Sequence, residues 1–229
     1  MQDRGPNTRV GILGGTLDPI HVGHIETALA AANALSLSQI LVMPSRIPPH
    51  RTQGPAASMF HRFAMATLAV QSLDTWLVCD DELREDGPSY TALTLERLSR
   101  RGLSPAQTFF ITGADAFAEI ETWHRFPEVL DQAHFIVISR PGMTAAAAVE
   151  RVPGMSERLQ PAASAGARSR PSIFAVDART PDVSSTDIRR RLRAGQSISG
   201  LVPPPVESHI LRHRLYVEPL TANISNEED

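Results

Sequence analysis

Lysine is absent from the 229 residues, so all 22 basic side chains are arginine. An arginine-biased genome accounts for such a count, but its chemical consequence holds whatever the cause. No Schiff base and no lysine general base is available, and a GxxxxGK[ST] phosphate loop is excluded. A cation that grips an anion must therefore be arginine or histidine. Cysteine is nearly missing as well: Cys79 alone can form no internal disulfide and is too few for a zinc cluster. It is read as a small core residue. No apolar run approaches the roughly 18 residues of a membrane span, and Met1 to Thr8 are polar. No membrane partner is expected, and the cytoplasm is the default setting. A net charge of -3 gives no basic footprint, which argues against nucleic acid as partner. With 42% hydrophobic residues, the chain has enough for one domain with modest insertions.

What is present reads as alternating strands and helices. Strands are predicted over Arg9 to Leu13, Gln39 to Pro44, Trp76 to Cys79, Thr108 to Thr112, Phe135 to Ser139 and Ile173 to Val176. Between them fall a helix from Ile25 to about Leu35, with Ile25, Ala28, Leu29 and Ala32 in a stripe, and another from Ser58 to Gln71. Ser58 suits an N-cap. Further helices run from Ser89-Tyr90-Thr91 to about Arg101, from the Ser184 region to Arg193 and from Val206 to about His213. The pattern predicts an α/β fold with a doubly wound parallel sheet, whose ligands sit outside the C-terminal strand ends. Three stretches are set apart: Asp80 to Asp86, five acids against Arg84, is read as a solvated loop. Residues 143–171, rich in alanine, are read as a variable insertion within the single domain of residues 9–217. Residues 1–8 and the acidic 218–229 are expected to be flexible ends.

The suggestive clusters up to the fifth strand lie at predicted strand ends. Gly14-Gly15-Thr16-Leu17-Asp18-Pro19-Ile20-His21-Val22-Gly23-His24 joins the first strand to a helix start. Glycines there allow close backbone approach, and free N–H groups with two imidazoles suit an anion. Two other readings stay open: His21 and His24 as buried structural histidines, or as zinc ligands with Asp18. A G-x-G-x-x-G dinucleotide fingerprint is not matched by Gly11, Gly14 and Gly15. Ser184-Ser185-Thr186 opens a second helix, with Arg189 one turn on; this is an N-cap or a second anion cradle. Two such cradles suggest a triphosphate or two phosphorylated ligands. Trp123 is read as a core residue or as a platform for a base.

These residues carry a resemblance. Gly14 to His24 resembles the GG-T/S-F-DP-x-H-x-GH signature of the HxGH nucleotidyltransferases, and Ser184-Ser185-Thr186-Asp187-Ile188-Arg189 resembles their [IV]SST-x-[IV]-R. Pro48-Pro49-His50-Arg51, Ser89-Tyr90-Thr91, Gly113-Ala114-Asp115, Trp123 and Arg140-Pro141-Gly142 are similar to bacterial nicotinate-nucleotide adenylyltransferases. The chain departs from them at Leu17, where Phe is usual, and at Arg51, where Lys is common. The resemblance implies a Rossmann-like nucleotidyltransferase fold, with transfer of the adenylyl group of ATP to nicotinate mononucleotide, with Mg²⁺, giving pyrophosphate and nicotinate adenine dinucleotide for NAD biosynthesis. It implies His21 and His24 as catalytic groups on the phosphates. ATP would be held by Gly14, Gly15, Thr16, Gly113, Asp115, Arg140, Ser184, Ser185, Thr186 and Arg189, and the mononucleotide by His50, Arg51, Thr91, Trp123 and His124. It implies no resident metal ligand and leaves a homo-oligomer open. The alternatives are a preference for the amide mononucleotide or another phosphorylated acceptor, or a nucleotide sensor without turnover.

Overall fold

The computed structural model describes residues 8–49, 54–164 and 170–217. Its centre is a six-stranded sheet built from β1 (Val10–Gly15), β2 (Gln39–Pro44), β3 (Trp76–Val78), β4 (Thr108–Gly113), β5 (His134–Ile138) and β6 (Ile173–Val176), with every pairing parallel. The spatial order is β3-β2-β1-β4-β5-β6. The chain therefore winds outward from β1 on one side, then returns to its other side at β4. The crevice at the carboxyl ends of β1 and β4 is the switch point where such sheets bind ligands.

The predicted strands match in place, with β1 running to Gly15. Helix α1 (Val22–Leu35) begins three residues before the predicted start, so His24 lies inside its first turn. The reason is local: His21 is extended, and α1 turns small residues toward the sheet, with Gly23, Thr27, Ala28 and Ala31 buried. Gly11 completes that close approach. A Cβ there would stand 2.8 Å from Leu37 Cδ1 and 2.5 Å from Ile40 Cδ1.

The strands are buried on both faces, and their successive side chains alternate between two cores. Leu13, Val42 and Ile111 pack beneath α1, α2 (Met59–Val70), α7 (Ser185–Arg193) and α8 (Pro204–Arg212). Ile12, Met43 and Val137 face α4 (Thr91–Arg100), α5 (Ala114–Phe117) and α6 (Ala145–Glu150). Helix α8 also meets α2 at the rim, where His61 Nδ1 and His209 Nε2 lie 3.1 Å apart.

Three expectations are corrected. Residues 143–171 hold α6 and the buried Ala145, Ala148, Val149 and Val152, so this stretch contains the β5–β6 crossover that covers the second core. Within the acidic run, Asp81 and Glu82 belong to a short helix, α3 (Asp81–Arg84), and are buried. Asp81 is satisfied by Arg97 at 3.1 Å and by Arg101. Cys79 is half-buried, just beyond β3, and burial raises its thiol pKa.

Arg62 is the largest fully buried side chain. Its Nη1 donates to Thr16 O at 2.8 Å and Ser45 O at 2.6 Å, joining the loops that leave β1 and β2. Arg62→Met keeps the apolar stem and strands two buried carbonyls, at about 1–3 kcal/mol each. Equilibrium urea unfolding should show a loss of about 3 kcal/mol, and a wild-type midpoint would remove Arg62 from this role.

Candidate active site

The loop after β1 is fastened before it reaches α1. Leu17 lies in the left-handed region (φ 50°) with its side chain buried. Next to it, the Asp18 carboxylate accepts from Ala56 N at 2.7 Å, Ala57 N at 3.1 Å and the Tyr216 hydroxyl at 2.8 Å. Every oxygen of that carboxylate is engaged, which takes Asp18 out of the zinc set weighed with His21 and His24. Burial and the Asp18 charge raise the Tyr216 hydroxyl pKa.

The rings of His21 and His24 lie against each other, tilted by 31° with centroids 3.7 Å apart. His24 Nδ1 accepts from the His21 backbone N–H at 3.2 Å. A neutral imidazole has one donor and one acceptor, so the proton of His24 sits on Nε2. His24 lines the central cavity, while His21 is buried behind it and its Nδ1 has no hydrogen-bond partner among the described residues. Gly23 makes room for this pair, since a Cβ would stand 3.0 Å from His21 Nδ1. Burial, reinforced by Arg140, lowers His21 to about 4; burial, His21 and Arg140 push His24 well below its ordinary value. In the free protein both are neutral near pH 7 and offer N–H dipoles.

The second hydroxyl-rich helix start is tied directly to this loop. Ser184 caps α7 by accepting from Asp187 N at 3.1 Å. Ser185 Oγ donates to Pro19 O at 3.0 Å, and Arg189 Nη1 donates to Asp18 O at 2.6 Å. Arg189 Nη2 also donates to Thr186 Oγ1 at 3.2 Å. The two helix N-termini are thus brought together across more than 160 residues of sequence.

A cavity of about 340 Å³ opens at the β1–β4 crevice. Gly14, Gly15, Thr16, His24, Gly113, Asp115 and Arg140 line it, as do Thr91, Trp123 and His124. Ser184, Ser185, Thr186, Arg189 and His21 stand outside that lining, and His50 and Arg51 lie outside the described residues. Arg140 pairs with Asp115 at 3.5 Å, above Gly113. A Cβ on Gly113 would come within 2.7 Å of Arg140 Nε and collide with the Asp115 carboxylate. Trp123 is half-buried, its ring edge-on to Phe110 at 5.9 Å, so it both packs on the core and faces the cavity. Tyr90, of the Ser89-Tyr90-Thr91 motif, stacks on His124 at 4.3 Å. Glu82, whose acidic run reads as solvated in the sequence, also lines the cavity.

The comparisons agree with this geometry. A family model described as cytidylyltransferase-like matches residues 12–191. A Shewanella baltica protein (strain OS185) named "Probable nicotinate-nucleotide adenylyltransferase" is 38% identical over 217 residues, covering 91% of this chain and 99% of the relative. The chain belongs to the nicotinate-nucleotide adenylyltransferase family. A member from Desulfatibacillum aliphaticivorans, with the same name, is 37% identical over 91% of this chain and 100% of its own. Among solved structures, the Plasmodium falciparum nicotinic acid mononucleotide adenylyltransferase complexed with NaAD has a TM-score of 0.68 at 16% identity, covering 91% of this chain and 97% of its own. Its complex with APC gives 0.65 at 18% identity. At those identities the likeness is one of fold, and it supports the single-domain, doubly wound sheet. The curated relatives carry the family assignment.

In this family member the buried histidines also govern acid stability. His134 accepts from Ser172 N at 3.0 Å through Nδ1, and burial lowers it to about 4. His21, His24 and His134 are neutral in the fold but take up protons near pH 6.5 once unfolded. Stability present above pH 6.5 is therefore lost as pH falls toward 4. Glu82, raised by burial, contributes the opposite slope. The thermal midpoint should fall between about pH 6.5 and 4.5. His134→Asn, which keeps an acceptor for Ser172 but does not titrate, should flatten that fall in calorimetry. Parallel slopes would refute the assignment.

Proposed function

We propose that the chain transfers the adenylyl group of ATP to nicotinate mononucleotide, releasing pyrophosphate and forming nicotinate adenine dinucleotide in NAD biosynthesis. The observation that carries this reading is the junction of the two signature helix starts, Ser185 and Arg189 bonded to Pro19 and Asp18, beside the His24 Nε2–H at the sheet's switch point. Such a junction suits one polyphosphate held at both ends.

In this reading Gly14, Gly15 and Thr16 let the triphosphate lie against the backbone leaving β1. His24 donates Nε2–H to a phosphate oxygen, and His21, with its unpartnered Nδ1, acts from the adjoining position. Ser184, Ser185, Thr186 and Arg189 meet the outer phosphates; Arg189 reaches them by releasing Asp18 O or by adding them to its existing bonds. Gly113, Asp115 and Arg140 form the adenosine side. Thr91, Trp123 and His124 receive the nicotinate ring and its carboxylate, and His50 and Arg51 the acceptor's phosphate. Helix α4 supports the carboxylate's place, since it starts at Thr91 with no side-chain cap on its first N–H groups.

The acceptor's 5′-phosphate oxygen bonds to the α-phosphorus as the bond from that phosphorus to the bridging oxygen breaks, and the electron pair leaves with pyrophosphate. No general base is required, because the attacking oxygen is already anionic; positioning and stabilisation of developing charge supply the catalysis. Neutral imidazole donors in a cavity from which water is partly excluded suit that task. Mg²⁺ would enter as the companion of ATP, held on the phosphates, and would supply charge neutralisation there. Of the carboxylates lining the cavity, Asp115 is ion-paired with Arg140 at 3.5 Å and Glu82 accepts from Thr94 Oγ1 at 2.7 Å.

Purified protein with ATP, Mg²⁺ and nicotinate mononucleotide should release pyrophosphate, with the amide mononucleotide giving a lower kcat/KM. No release would sink the proposal, and equal values would defeat acid selectivity. His24→Ala should lower kcat by roughly 10²-fold or more, the scale of one lost transition-state donor. Gly113→Ala, which displaces the Arg140–Asp115 pair, should raise the KM for ATP about tenfold. Near-normal kinetics in either variant would count against its role.

A further inference from the structure

We infer that Glu82 is the positioning residue for the acceptor side of the cavity, holding the Ser89-Tyr90-Thr91 segment in register for the mononucleotide. The inference rests on the adenylyltransferase reading, which assigns that segment to the nicotinate end.

Glu82 lies on α3, just after the sheet edge, and its side chain reaches inward to the cavity wall. Only 7% of the residue is exposed. A buried carboxylate must be satisfied by donors, and those present come from the acceptor wall. Thr94 Oγ1, one turn into α4, donates to Glu82 Oε1 at 2.7 Å. Ser89, immediately before Tyr90 and Thr91, stands near enough to the same carboxylate to oppose the rise that burial gives its pKa. Ser89 in turn accepts from the Arg46 backbone N–H at 2.9 Å, and its own N–H donates to Ile47 O at 2.8 Å. One carboxylate is therefore bonded to the first turn of α4 and neighbours the residue that joins this segment to the loop after β2.

Asp81 has a different task. It pairs with Arg97 on α4 and with Arg101 just past its end, and it does not line the cavity. Arg97 Nη2 also donates to Thr94 Oγ1 at 3.0 Å, so both acids belong to one network, Asp81 meeting the helix body and Glu82 its first turn. If α4 tilts at Thr91, the first-turn N–H groups and the Tyr90–His124 stack shift together, while the polyphosphate side, built on β1, α1 and α7, is untouched.

The test is steady-state kinetics of Glu82→Gln against each substrate in turn, with thermal midpoints taken alongside. Gln keeps the size but offers one acceptor oxygen where the carboxylate offers two. The KM for nicotinate mononucleotide should rise about tenfold, as expected for loss of a charge-assisted bond, while the KM for ATP stays within about twofold. Ser89→Ala should show the same split, and combining the two should add little, because both act on one segment. Glu85→Gln, a charge loss at an exposed neighbour, should show no split. If Glu82→Gln does not fold, Ser89→Ala decides alone. Equal rises in both KM values, or no rise in either, would overturn the positioning role. Absence of turnover by the wild-type chain would instead overturn the adenylyltransferase reading.

Discussion

A single buried carboxylate holds the nucleotide end of this molecule together. Asp18 binds two backbone amides from the loop before α2, a tyrosine from beyond α8 and, at 3.9 Å, the Arg189 guanidinium from α7. An ionised carboxylate would not tolerate burial without such partners. Its demand for donors is what gathers segments that are remote in sequence. It also offsets the left-handed backbone at Leu17, a conformation that side chains of this kind adopt at a cost. With Asp18 satisfied, the turn cannot relax, and the imidazoles that follow are delivered to one place.

Arginine does related work on the protein side. Arg62 uses carbonyls from the ends of β1 and β2, and Arg189 uses the carbonyl of Asp18. In both cases the guanidinium replaces a loop's missing backbone partners, which a lysine ammonium, lacking the planar fork, would do less well. Arginine stays charged throughout the ordinary pH range, whereas His21, His24 and Glu82 are shifted by burial. Burial holds His21 and His24 neutral and makes their response to acid a matter of stability first.

Much of this was readable in the residues. Short continuous apolar runs between helical patterns located all six strands, and the two helix-start signatures fall where the sheet reverses. The limits have physical causes. Arg62 occupies a helix position that composition treats as solvent-facing, and only the carbonyls of Thr16 and Ser45, brought near by the sheet, make it a core residue. Asp81 and Glu82 sit in a run that looks solvated until Arg97, Arg101, Thr94 and Ser89 arrive by tertiary packing. The alanines of α6 carry too little hydrophobic contrast to mark a buried face, although small side chains are what lets that helix lie close. The neutrality of His21 and His24 comes from burial, which sequence does not display.

The Tyr216–Asp18 bond spans 198 positions, and this has a consequence for how the molecule is made. During synthesis the amino-terminal half emerges first, so β1 and its glycine turn are exposed while the residue that closes them has yet to be translated. The sheet can grow outward meanwhile, but its nucleotide cleft takes final shape only when α8 docks and Tyr216 arrives. The closed geometry of the cleft is therefore among the last features the nascent chain acquires.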